Sequence, residues 1–397
     1  MPTKKTFLGS AVVLYFIIAF EVLIMISPFA GFFYSVFNPV LLQLASHPAT
    51  RWLSAFYLPH MVLPGDGVLV FLRILGSILF TLGMVIFIAC AIQIYTVKLF
   101  KRGAVLGGLY SWVRHPQYLG LGLAGLGLSI LWPRFLTAVL WLVMALVYYF
   151  LAKDEERRML TAFPESYRAY LNHTGMFFPA GVERALTPSS RGGQGLLVLA
   201  LAVAVIGAPF LLRAYTVHHL TLWSGARNAA VLAILPEDGA MMEHRMGDVL
   251  ALAEVRSRMQ DGKHYLVYFL PREYIMQGMI ADTGGNWKLF EQHRSLSMIT
   301  DWVFNPFGHL RGGHHAMHGS MQMPPQGTAI AGGGVIRRLI FLSIEGTEVT
   351  TPADLFSIKA SRVPEFMVDV DIHNLRILEI QDLAHGSGWG SVPTPVF

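Results

Sequence analysis

The sequence predicts a polytopic α-helical membrane protein of about five membrane segments, two of them a short helical hairpin, followed by a C-terminal soluble α+β domain. Three observations carry this. Charged residues are only 14% of the chain and hydrophobic residues 54%, with a mean hydropathy of +0.50; an ordinary soluble domain carries about 25% charged residues. Apolar runs near the length needed to cross a bilayer recur through the first half of the chain. From about Gly225 charges return and the apolar runs shorten. The predicted domains are therefore residues 1–213, embedded in the membrane, and 214–397, outside it.

The elements follow in order. Residues 7–27 form the first predicted span, with Lys4 and Lys5 ahead of it and no convincing small-residue cleavage signal, so an uncleaved anchor is expected. Residues 29–63 are apolar but punctuated by Pro39, Pro48 and Pro59, with Pro64 just beyond, and read as an interfacial or re-entrant stretch. Residues 72–97 form the second span. Residues 118–132 and 135–152 form the hairpin, turned at Trp132-Pro133-Arg134, with both arms near the short limit. Residues 195–212 form the last span. In the soluble part, residues 248–260 read as a helix. Residues 264–270, 335–344, 365–372 and 375–380 read as strands, with β-branched residues between turn signals.

Lys and Arg give the orientation. Lys4 and Lys5, then Lys98, Lys101, Arg102 and Arg114, then Lys153, Arg157, Arg158, Arg168, Arg184 and Arg191 cluster in alternate segments. Those segments are predicted to be cytoplasmic, with the residues after Arg213 periplasmic or otherwise extracytoplasmic. The net charge of +5 has the same origin, and no nucleic-acid partner is expected. Cys90 is the only cysteine, which excludes a disulfide within the chain and a Cys-based zinc site. Glu21, in mid-span, reads as a helix-packing polar group or a substrate-path residue.

The richest chemistry lies in the hairpin. Arg114 offers a planar fork of donors suited to a carboxylate. His115 can donate or accept near neutral pH. Pro116 fits the first turn of a helix, whose free N–H groups favour an anion. Gly120, Gly122, Gly125 and Gly127 leave one helix face bare, for close helix packing or for a flat ligand. Glu155 and Glu156, at the far end of the hairpin's second arm, can receive an ammonium group or ribose hydroxyls. A ligand with a carboxylate, an ammonium and a flat base would match this set. Each feature also has a plainer reading. Arg114 can be a positive-inside anchor, Tyr118 and Trp112 interfacial aromatics, and Glu155 to Arg158 a solvated helix start.

Taken in order, these residues resemble the isoprenylcysteine carboxyl methyltransferase and phospholipid methyltransferase superfamily. Its Arg-His-Pro-x-Tyr-x-Gly motif is similar to Arg114, His115, Pro116, Tyr118 and Gly120, preceded by Tyr110. Its Glu-Glu pair corresponds to Glu155 and Glu156. Its Phe-Gly-x-x-Tyr-x-x-Tyr and closing proline correspond to Phe163, Tyr167, Tyr170 and Pro179. Pro164 stands where the family usually has Gly, and Gly107-Gly108 where Gly-Pro is usual. The resemblance covers roughly residues 99–179. It implies a membrane methyltransferase whose cofactor is S-adenosylmethionine, bound by His115, Tyr118, Gly120, Gly122, Glu155 and Glu156. Arg114 and Glu156 are the expected catalytic pair, Arg114 orienting an acidic substrate. The expected acceptor is a carboxylate, thiol or amine on a lipid, a lipidated or another membrane-associated molecule. Two other readings stand beside it. One is a membrane reductase with a nicotinamide cofactor. The other is a non-catalytic membrane subunit or metal-handling protein that acts through its outer domain.

The outer domain carries one further cluster. His309, His314, His315 and His318, with Met317, Met321 and Met323, lie in a Gly-rich loop. Imidazole with thioether suits copper, and His314, His315, His318 and Met321 are the candidate ligands. The spacing matches no closed metal motif, and a plain surface loop is the alternative. Residues 225–397 are also the expected surface for a membrane or periplasmic protein partner.

Overall fold

A computed structural model describes residues 40–100, 105–226, 228–274, 277, 280, 281, 283 and 335–383. The predicted first span, Glu21 and the His/Met loop lie outside the described residues. The chain divides into two compact units, one including residues 71–212 and the other residues 40–70 and 213–383.

Short helices α1 (Val40–Ser46) and α2 (Arg51–Ser54) precede α3 (Gly67–Leu99). Asp66 starts α3 by accepting the N–H groups of Val68 and Leu69 at 3.0 Å each. The Leu69 amide, foremost among several donors, holds the Asp66 carboxyl below its usual range. Next come α4 (Pro116–Leu131), α5 (Phe135–Ala162), α6 (Pro164–His173), α7 (Ala180–Leu186) and α8 (Arg191–His218). Among the described residues, three helices are long and apolar enough to cross a membrane: Gly67–Leu99, Phe135–Ala162 and Gly192–His218. The α4 arm is apolar but shorter. The protein is thus an integral membrane protein with fewer spans described than the five expected.

Helices α3 and α4 approach until their backbones touch. A Cβ at Gly127 would lie 2.3 Å from the Phe80 nitrogen, and one at Gly83 would lie 2.3 Å from the Ala124 nitrogen. Only glycine permits that approach, which is how small residues hold helices together where lipid removes the hydrophobic incentive. Between α4 and α5 the contact is made by side chains. Trp141 Nε1 donates to the Gly122 carbonyl at 2.8 Å, and the rings of Tyr118 and Tyr148 stack at 5.0 Å. The turn is closed by Thr137, whose hydroxyl donates to the carbonyls of Trp132 (2.9 Å) and Arg134 (2.7 Å).

In the second unit, β1 (Leu222–Trp223), β2 (Ala229–Ala233), β3 (Tyr265–Pro271), β4 (Ile336–Glu345), β5 (Ser361–Asp371) and β6 (Arg376–Asp382) form one sheet in that order. Only β2 and β3 pair in parallel; the other neighbours are antiparallel. Between β2 and β3 run α9 (Gly239–Ala251) and α10 (Ala253–Arg256), the crossover a parallel pair requires. Val231, Val267, Phe341 and Val368 face Met242, Met246 and Val249 of α9. Leu232, Leu266, Ile340 and Met367 face Met61, Val62, Leu355 and Phe356. Burial on both faces explains why β2, β3 and residues 339–342 of β4 are apolar without alternation.

That second cover bears on the expectation for residues 29–63. Their described part packs as a layer of the sheet-containing unit. Its apolar residues bury against the sheet, and its backbone is bonded there. The Leu63 N–H donates to the Ile234 carbonyl at 2.8 Å, and Tyr274 Oη to the Met61 carbonyl at 2.9 Å. The buried Arg213 guanidinium donates to the carbonyls of Phe56 and Phe356. The predicted helix 248–260 also shifts: α9 begins at Gly239 and breaks at Leu252, whose extended backbone separates it from α10.

Candidate functional site

Pro116 opens α4 at its first turn and leaves His115 as the capping residue, with φ −128° and ψ 60°. The preceding residues run alongside a strap formed by 174–177. Val113 and Gly175 make a parallel bridge, Arg114 N donates to Gly175 O at 2.8 Å, and His115 N to Met176 O at 3.0 Å. Helix α5 continues past its apolar stretch and brings Glu155 and Glu156 opposite His115.

The result is a compact charged cluster. Arg114 Nε donates to Glu156 Oε1 at 2.6 Å, with both side chains 9% exposed. The same guanidinium donates through Nη1 to the carbonyls of Thr174 and, at 3.4 Å, Leu171. His115 is buried; its Nδ1 lies 3.2 Å from Glu155 Oε2 and its Nε2 3.7 Å from Glu156 Oε1. Neither ring nitrogen makes a hydrogen bond of good geometry. Burial disfavours the charged imidazole, but the two carboxylates outweigh it, and the His115 pKa is raised above its ordinary value. Tyr118 Oη donates to Glu155 Oε1 at 2.8 Å. The Glu155 side chain stays 30% exposed, which leaves it the open acidic edge of the cluster.

The structure therefore brings together Arg114, His115, Tyr118, Glu155 and Glu156. It places Gly120 elsewhere, at the α3 contact, where a Cβ would lie 2.8 Å from the Gly83 carbonyl. Gly122 has open space at its Cβ position, although its carbonyl is taken by Trp141. Arg114 directs Nε and Nη1 to protein acceptors and is a clamp on Glu156 and the strap. Gln117, which sequence reasoning passed over, links Tyr110 to Glu155, receiving the Tyr110 hydroxyl at 3.0 Å and donating to Glu155 Oε2 at 3.5 Å. Tyr170 Oη donates to the Tyr110 carbonyl at 2.5 Å, so the tyrosines singled out in the sequence tie the loop before α4 to α6.

The candidate copper ligands His314, His315, His318 and Met321 lie outside the described residues. Among the described residues no group of three or more His, Cys, Asp or Glu side chains is placed to hold a metal ion.

This cluster lies largely within a stretch, residues 71–166, that matches the phospholipid methyltransferase family. The resemblance read from the hairpin motifs is thus shown over that segment of a chain that carries membrane-capable helices. The chain is also similar to the cobalt-zinc-cadmium resistance protein CzcN of Cupriavidus metallidurans, with 38% identity over 110 residues. That match takes in 27% of this chain, which spans about half, 48%, of the relative's length. No solved structure matches.

Proposed function

We propose that this protein is an S-adenosylmethionine-dependent membrane methyltransferase whose acceptor is a lipid, a lipidated or another membrane-associated molecule. The observation that carries the reading is the buried His115 set between Glu155 and Glu156 within the family-matching stretch. The donor set fits the cofactor. A buried imidazole without a well-formed hydrogen bond, beside a partly open carboxylate, offers what a ribose hydroxyl or an ammonium group would bind. His115, Tyr118 and Glu155 would hold it, with Glu156 behind them. When bound, the cofactor supplies a methyl group on a sulfonium, ready for in-line displacement.

The protein's part is mainly positioning. Arg114 fixes Glu156 and leaves it ionised beside the imidazole. Tyr118 fixes Glu155. The buried Met176, Tyr118 and Tyr148 keep water from the inner side of the cluster. An acidic acceptor oriented by Arg114 would compete with Glu156 for the same guanidinium, so Arg114 is assigned to positioning and not to acceptor binding.

Calorimetry or thermal shift on the full-length detergent-solubilised protein tests this. S-adenosylmethionine should bind and NADPH should not. His115→Ala and Glu156→Ala should each weaken binding by roughly 1–3 kcal/mol, the range for leaving a charged partner unpaired. Stabilisation by NADPH alone would favour the reductase reading. Metal handling draws support from the relative's name, which speaks of cobalt, zinc and cadmium resistance. Copper uptake by the full-length protein, abolished by replacing His314, His315 and His318 with Ala, is its test.

A further inference from the structure

The strap that covers His115 lies beyond the family-matching stretch, and its own support comes from a residue with no part in the hairpin motifs. Glu183, in α7, turns one carboxylate oxygen back onto the chain. Its Oε2 accepts the N–H of Met176 at 2.6 Å and that of Phe177 at 3.3 Å. Those two amides belong to the residues that meet the site. The Met176 carbonyl receives the His115 N–H, its side chain is buried against Tyr118 and Tyr148, and the Phe177 ring lies 6.2 Å from the imidazole. The strap has little freedom to settle elsewhere. A Cβ on Gly175 would lie 1.9 Å from the Phe178 carbonyl and 2.8 Å from Glu183 Oε2. On its other edge it is gripped by the Arg114 guanidinium at Thr174.

We propose that Glu183 is a positioning residue for the cofactor site. It anchors residues 174–177 so that the Met176 carbonyl fixes the His115 backbone and Phe177 closes one side of the imidazole. Arg114 and Glu183 grip the strap from opposite ends, a cation at the Thr174 carbonyl and an anion at the Met176 and Phe177 amides. Charge-assisted bonds of this kind are roughly twice as strong as neutral ones. The inference rests on the methyltransferase reading for the identity of the ligand, but the anchoring itself does not.

The test therefore has two arms on the full-length solubilised protein. Without ligand, amide hydrogen exchange at 174–177 should be about tenfold faster in Glu183→Ala than in wild type, the factor that corresponds to losing one charge-assisted bond. It should stay near wild type in Glu183→Gln, whose amide oxygen can accept the same two N–H groups. With S-adenosylmethionine, the alanine variant should bind about tenfold more weakly, and the glutamine variant should recover most of the affinity. If the alanine variant fails to fold, Glu183→Asp, which retracts the oxygen by one methylene, gives the same comparison. Unchanged exchange at 174–177 in the alanine or aspartate variant would overturn the anchoring. Faster exchange with unaltered affinity would overturn its role in the site. Absence of S-adenosylmethionine binding in wild type itself would count against the methyltransferase reading and leave the exchange arm standing.

Discussion

At His115 a buried imidazole is kept in place by two carboxylates, and each neighbour is fixed by a different partner. Glu156 depends chiefly on Arg114, and Arg114→Ala should leave the buried carboxylate with only the half-exposed Lys153, 3.5 Å from its other oxygen, and His115 as cations. Breaking a fully buried pair costs about 3–5 kcal/mol, and the remaining cations bring the expected loss below that; Arg114→Lys should recover only part of it, since an ammonium cannot serve Glu156 and the Thr174 carbonyl from one plane. Thermal unfolding of the ligand-free variants checks the order wild type, lysine, alanine. The raised His115 pKa gives a signed pH dependence. Its contribution to stability is fully present below the ordinary imidazole value of about 6.5 and is lost as pH rises through the higher folded value. The melting difference between wild type and His115→Gln should shrink with rising pH; a difference that grows would contradict the ion-pair picture. Arg114, His115, Tyr118, Glu155 and Glu156 were legible in the sequence because their side chains carry the chemistry. Gln117, Thr174 and Glu183 were not, because they act by linking side chains or by meeting backbone groups, and such partners leave no composition signal. Gly120 could be read either way, and only the α3 backbone beside it separates packing from ligand approach.

Helix packing of α3 on α4 depends on Gly83, Gly120 and Gly127. Gly127→Val should push α3 and α4 apart and destabilise the protein by about 1–3 kcal/mol, as overpacking does. Gly122→Ala meets open space and should leave the melting temperature nearly unchanged. Equal effects from the two would refute the packing described. In the second unit, Asp354 caps the turn Pro352–Phe356, accepting from the backbone and hydroxyls of Thr350 and Thr351, and its pKa falls to about 2. Because that value is depressed, the cap is complete above the ordinary carboxylate range and is lost only as pH falls through about 2. The turn should therefore stay formed at pH 4, which amide exchange at Thr351 can check. The sequence revealed α3, the hairpin and α8 through long apolar runs, and β3 to β6 through β-branched stretches. It hid β2, five small apolar residues buried on both faces, since so short a run has no periodicity to separate strand from helix. Proline spacing in residues 29–63 could not show that Met61 and Val62 pack on the sheet, because a proline-broken apolar segment looks the same at a membrane surface and against a sheet.

Across the whole molecule, residues 40–66 and 213–383 build one unit, and so lie on one side of any membrane crossed by α3 and α8. The Lys and Arg bias proposes that this side is extracytoplasmic and that Glu155 is cytoplasmic. Reporter fusions at Arg184 and Asn374 should report opposite sides; the same side for both would mean that α8 does not span. A C-terminal fragment starting at Leu222 should aggregate, because it lacks Met61 and Val62 over the sheet, and should become soluble when residues 40–66 are supplied in trans. The proposed methyl-donor role of the His115, Glu155 and Glu156 cluster is tested most directly by calorimetric titration of the full-length solubilised protein with S-adenosylmethionine, beside Glu156→Ala. Saturable binding in wild type that weakens by roughly 1–3 kcal/mol in the variant is the predicted result; equal binding in both, or none in wild type, would contradict it.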